Sequence, residues 1–208
     1  MEQRTIEAGV GLRLVPVVAW PVGSVPSDFS TVAGFVDLQA VDNTAAMTKL
    51  LLAVFPEISK GAIRTAFPGG FCLLDRDSVL ITPQCCADLG DFASWQEICR
   101  LPPEVAGWIS VYIGHPQLMA RAAGEKVWLT MEDDLAESPR PHPDAPVWIA
   151  PMAALRHAVL EAERVLEQIA PRIEHALEGL LSDDLRPVAR EWILRGTGDY
   201  HILKERAT

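Results

Sequence analysis

The chain has 208 residues, 49% hydrophobic and 22% charged, with a formal net charge of −10 and a pI near 4.9. That length and balance fit one folded domain, with or without a helical extension, and exclude a disordered chain. The acidity excludes nucleic acid as a direct ligand, because a phosphate backbone requires a basic face.

Other classes fall on local grounds. No run approaches the roughly 20 apolar residues of a membrane span. Residues 1–7 lack the basic start and apolar run of a secretory signal. Four cysteines (Cys72, Cys85, Cys86 and Cys99) are too few for a disulfide framework at this length. The expected location is a reducing cytoplasm.

Taken in chain order, residues 10–22 are apolar and β-branched but broken by Pro16 and Pro21. Proline removes a ladder donor, so they predict an edge strand or two short strands. Residues 23–31 read as a loop, and residues 32–40 as a strand interrupted by Gly34. Asn43 or Thr44 is placed to cap a helix over 45–55, where Met47, Leu50, Leu51 and Val54 share one face. Pro56 ends that helix. A short helix over 60–65 is expected next, then a turn at Pro68-Gly69-Gly70.

Residues 71–74 and 78–82 predict a β-hairpin around Asp75-Arg76-Asp77. Residues 107–115 have little alternation, which suits a central strand covered on both faces. Residues 125–131 read as a second strong strand, with 117–124 as a short strand plus turn or a loop. A polar, proline-rich crossing follows, from Glu132 to Pro143. One more strand is expected near 145–149.

Past Pro151 the pattern changes. Met152, Leu155, Val159, Ala162, Leu166, Ile169, Ile173, Leu177 and Leu180 recur at three- and four-residue steps. They predict a long amphipathic helix over 152–180 containing Pro171. A last helix over 185–194 would be capped from Ser182-Asp183-Asp184. The fold expected is therefore α+β: a mostly antiparallel sheet with packed helices and a C-terminal long-helix segment. Residues 1–150 form the core domain, and 151–208 a helical segment packed on it. The charge divides unevenly, with 18 acids against 10 basic residues before position 151 and 10 against 8 after it.

The densest chemistry lies in residues 83–95, which hold Cys85, Cys86, Asp88, Gly90, Asp91 and Trp95. Cys85, Cys86 and Cys99 with His115 offer thiolate and imidazole ligands, but not the paired spacing of a structural zinc site. A cysteine nucleophile with His115 as base is the related enzymatic reading. Asp88 and Asp91 have an ordinary role as caps: Asp91 for a helix starting at Phe92, or Ser94 with Glu97 as a reciprocal capping box. Glu132, Asp133, Asp134 and Glu137 form the densest acidic run, without the spaced ligands and glycine of a calcium loop. His157, Glu161 and His175 on the long helix lack the partner carboxylates of a bundle metal site. No catalytic residue, metal site or cofactor is assigned.

Residues 83–95, together with Trp108-Ile109-Ser110-Val111-Tyr112-Ile113-Gly114-His115-Pro116, resemble bacterial immunity-type proteins. These are encoded beside polymorphic toxins such as Rhs and type VI effectors. The resemblance implies a cytoplasmic protein that neutralises a toxin domain by direct binding, and it implies no catalytic residues. Combined with the acidity, it predicts an inhibitor that occludes the basic active-site cleft of a cognate toxin. Asp88, Asp91, Glu132, Asp133, Asp134 and Glu137 are the candidate contacts. The competing readings are a small enzyme or metal-binding protein using Cys85, Cys86 and His115, and an adaptor that forms a homodimer through the helix over 152–180.

Overall fold

The computed structural model describes residues 4–60, 62–63, 66–103, 107–133, 135–195 and 201–202. Twelve strands and four α-helices are found among them. They are β1 (Thr5–Glu7), β2 (Leu12–Val18), β3 (Thr31–Val32), β4 (Phe35–Asp37), α1 (Thr44–Val54), β5 (Ala62–Ile63), β6 (Gly69–Asp75), β7 (Ser78–Ile81), α2 (Phe92–Cys99), β8 (Ile109–Val111), β9 (Leu118–Ala123), β10 (Lys126–Met131), β11 (Val147–Pro151), α3 (Met152–Ala176), α4 (Arg186–Arg195) and β12 (His201–Ile202). The fold is α+β, with two mostly antiparallel sheets of five strands rather than one. The first runs β1-β11-β10-β9-β8, the second β3-β4-β2-β6-β7, and β12 pairs with β5 separately.

The second sheet grows from β2. Residues Leu12 to Val18 run antiparallel to β6, with Pro16 opposite Phe71. The strand is continuous through that proline and central, not an edge. On β2, β4 reaches only Val17 and Val18, so the stretch containing Pro16 has no ladder on that side. The expected strand over 32–40 is instead a tight hairpin. Ala33 and Gly34 both take positive φ, 51° and 86°, as the common two-residue hairpin turn demands. A 3-10 turn over Leu38–Ala40 follows.

The first sheet contains the only parallel pair among the described strands, Thr5 to Glu7 alongside Val147 to Ile149. Nothing in residues 1–9 announced a strand. β8 pairs only with β9 and closes this sheet as an edge, against the central position expected for residues 107–115. Apolar content at Val111 and Ile113 reflects one buried face, since both are core residues. The expected helix over 60–65 is a 3-10 turn ending at Lys60, then β5; Gly61, Arg64 and Thr65 lie outside the described residues.

One apolar core joins both sheets and the helices. α3 lies at its centre, packed along β2 and against α1, α2 and α4. Every expected stripe residue from Met152 to Leu177 is buried. Pro171 sits on the exposed side of the helix, and the helix runs through it although it removes one backbone N–H from the ladder. Asn43 caps α1 by accepting from the Ala46 N–H at 2.9 Å.

Candidate functional site

The segment after β7 forms the seam between the two sheets. On one side the Gly69 N–H donates to the Ala87 carbonyl at 2.9 Å and the Leu89 N–H to the Phe67 carbonyl at 3.0 Å. On the other, the Gln84 N–H donates to the Ile113 carbonyl at 3.1 Å and the His115 N–H to the Cys85 carbonyl at 2.9 Å. Gly114, at φ 98°, allows the approach: a Cβ there would lie 2.5 Å from the Cys85 carbonyl oxygen.

Asp88 and Asp91 close the seam as a reciprocal capping box around a 3-10 turn, Leu89–Asp91. Asp88 Oδ1 accepts from the Gly90 N–H at 2.7 Å, and Asp91 Oδ2 from the Asp88 N–H at 3.0 Å. The box is therefore Asp88 with Asp91, not Ser94 with Glu97, and Asp91 makes no side-chain cap to α2. Burial pushes the Asp91 carboxyl up to about 7, with the nearby Asp88 charge adding to the rise and the Asp88 N–H opposing it. Burial also raises Asp88, against hydrogen bonds from the Gly90 and Asp91 amides.

Both seam cysteines are exposed and free. Cys86 takes φ 66°, a conformation uncommon outside glycine and asparagine. Cys85 donates its S–H to the backbone carbonyl of His115 at 3.1 Å. The imidazole of His115 faces elsewhere, edge-on to the Tyr112 ring at 5.8 Å. The Tyr112 hydroxyl donates to the Cys86 carbonyl at 3.4 Å. Burial, then the negative surroundings of Asp91, Cys86, Asp88 and Cys85, raise its pKa. Cys72 and Cys99 are apart from this group; burial lifts their thiols to about 12 and about 11. Among the described residues, no three His, Cys, Asp or Glu side chains converge as a metal-binding set.

His115 also lines a cavity of about 360 Å³ with Gln117, Glu132, Asp133, Glu137 and Ser138. The acidic run therefore adjoins the seam, though 40 or more positions separate them in the sequence. Ser110 Oγ donates to Gln117 Oε1 at 2.6 Å and lies 3.3 Å from Glu132 Oε2.

The crossing that carries these acids is locked by its own bonds. Asp133 Oδ2 accepts from both Nε and Nη2 of Arg140, at 3.1 and 3.0 Å. That fork holds its carboxyl below the usual aspartate range, helped by the Leu135 N–H. The Asp133 N–H donates to the Arg140 carbonyl at 2.9 Å and the His142 N–H to the Met131 carbonyl at 2.8 Å. Thr130 Oγ1 donates to the Pro146 carbonyl at 2.9 Å. The lock leaves Leu135 95% exposed, with Glu137 exposed two residues on. Asp134 lies outside the described residues. Of the candidate acids, Asp88 and Asp91 hold backbone and Asp133 holds Arg140, while Glu132 and Glu137 face the cavity.

A feature absent from the sequence reading lies on the outer face of the first sheet. The Arg121 guanidinium stacks between two indoles, 5.2 Å from the Trp108 centroid and 4.5 Å from that of Trp128. A two-residue turn at Gly124-Glu125 places Arg121 opposite Trp128, so the hairpin spacing was the signal that could have found it.

Comparison with protein families, curated proteins and solved structures finds no match. No helix among the described residues is long and apolar enough to cross a membrane.

Proposed function

We propose that this chain is a cytoplasmic inhibitory binding protein of the immunity type. It would neutralise a cognate bacterial toxin domain by covering its basic active-site cleft with an acidic surface. The locked crossing from Glu132 to Pro146 carries this reading. A loop fixed before binding spends little ordering entropy when it docks. An exposed leucine beside acids suits an apolar anchor within a charged rim. The net charge of −10 favours fast encounter with a basic partner.

The seam is a weaker basis for an enzyme. The Cys85 sulfur meets a backbone carbonyl rather than the imidazole a nucleophile would need, and Asp88 and Asp91 are engaged as caps.

The test is a pull-down from the native bacterium with tagged full-length protein, at low and moderate salt. One stoichiometric partner whose basic toxin domain loses activity on mixing supports the reading. Absence of a partner at both salts, or a captured toxin that stays fully active, overturns it.

A further inference from the structure

We infer that the outer face of the first sheet, centred on Trp108, Arg121 and Trp128, is the contact surface for a protein partner that presents a carboxylate to Arg121. This inference rests on the inhibitory reading and adds to it where, and with what chemistry, the partner docks.

Arg121 stands apart from the other half-buried arginines among the described residues. Arg172 donates to the Val41 carbonyl, Arg186 pairs with Glu178, and Arg190 pairs with Glu174. Arg121 makes no hydrogen bond or ion pair among the described residues; its Nε, like that of Arg186, is buried without an acceptor, but Arg186 is paired through its other nitrogens. Buried donors are rarely left so, because losing water without gaining an acceptor is unfavourable. With Nε buried, the terminal Nη1 and Nη2 groups are the part of the guanidinium left to meet a carboxylate, and that end matches one in bidentate geometry. Tryptophan and arginine are also the residues that most often dominate binding energy at protein interfaces.

Position supports the same conclusion. Met119, Val147 and Ile149 share this outer face and are buried within the chain, so its open part is confined to the half-buried Trp108, Arg121 and Trp128. Alternation along β10 and its continuation at Glu132, whose N–H donates to the Gln117 carbonyl, puts Trp128 and Glu132 on the same side, four residues and so about 13 Å apart. The arginine ladder and the acidic cavity therefore fit one footprint of about 800 Å² per partner. The partner would set a carboxylate against Arg121 and basic groups against Glu132 and Glu137. A partner of uniform charge would satisfy only one end.

The probe is the full chain carrying p-benzoylphenylalanine in place of Trp128, photolysed in the native bacterium, with the same label at Leu160 on α3 as control. The inference predicts one heteromeric adduct from position 128, mapped beside an Asp or Glu of the partner. Arg121→Glu should lower its yield and the partner affinity about 10- to 100-fold, and an arginine at the mapped partner acid should restore both. Arg121→Lys keeps a cation without the fork and should fall between, which keeps the test decisive if Arg121→Glu melts early. An adduct from Leu160 alone overturns this face while the inhibitory reading stands. An adduct joining two copies of this chain overturns it too. A wild-type chain that captures no partner overturns both readings.

Discussion

Cys85 and His115, 30 positions apart, are joined by two hydrogen bonds. The His115 N–H donates to the Cys85 carbonyl at 2.9 Å, and the Cys85 thiol to the His115 carbonyl at 3.1 Å. This contact ties the seam segment to the end of β8, and Gly114 beside it must stay bare. Gly114→Ala would drive a methyl into the Cys85 carbonyl oxygen at a φ of 98°. It should cost roughly 3 kcal/mol, read by denaturant unfolding. A loss under about 0.5 kcal/mol, the range of an ordinary surface change, would show that the seam yields freely.

Asp91 makes a pH prediction of definite sign. Its carboxyl titrates near 3.8 in an unfolded chain and about 7 in the fold. Stability from the protonated form is complete below pH 4 and is lost as pH rises to 7. Asp91→Asn keeps an acceptor for the Asp88 N–H but cannot ionise. The variant should melt with the wild type near pH 4 and be the more stable at pH 8, by about 1–2 kcal/mol after discounting for its partial exposure. Parallel stability curves across that range would contradict it.

The thiols should divide into two classes. Cys85 and Cys86 are exposed, while burial suppresses ionisation of Cys72 and Cys99. A thiol reagent such as Ellman's should label the seam pair in the native protein and the others only in denaturant. Fast labelling of Cys72 would mean that β6 opens readily.

Removing the fork at the acidic loop should affect order more than stability. Arg140 is largely exposed, so Arg140→Ala should cost less than about 1 kcal/mol globally. Amide exchange at Ala136 and His142, whose N–H groups close the loop, should quicken markedly. Unchanged protection would show that the backbone ladder alone holds the loop.

How far the sequence revealed this arrangement depended on the range of each interaction. α3 was readable because its stripe repeats every three to four residues over seven turns, and Asn43 announced α1 through a bond three residues away. The β6–β7 hairpin and β10 were also local, whereas Asp88 and Asp91 cap each other's turn rather than α2, because a 3-10 turn precedes that helix. Two sheets in place of one were not legible, because β2 joins β6 across more than fifty residues and β1 joins β11 across about 140. Pro16 misled for the same reason: whether a missing N–H matters depends on a neighbour chosen elsewhere in the chain. The adjacency of His115 to Glu132 and Glu137 is likewise set by sheet order, and the Arg121 ladder by the length of one turn, Gly124-Glu125.

The pairing of Thr5 with Val147 has a consequence for synthesis. On the ribosome the first strand emerges long before its partner exists, and α3, which fills the centre of the core, emerges later still. Until then β2 must leave apolar surface uncovered. The core therefore cannot be completed before α3 has emerged, however early the local hairpins form. During that interval the nascent chain is most exposed to aggregation and most dependent on chaperones.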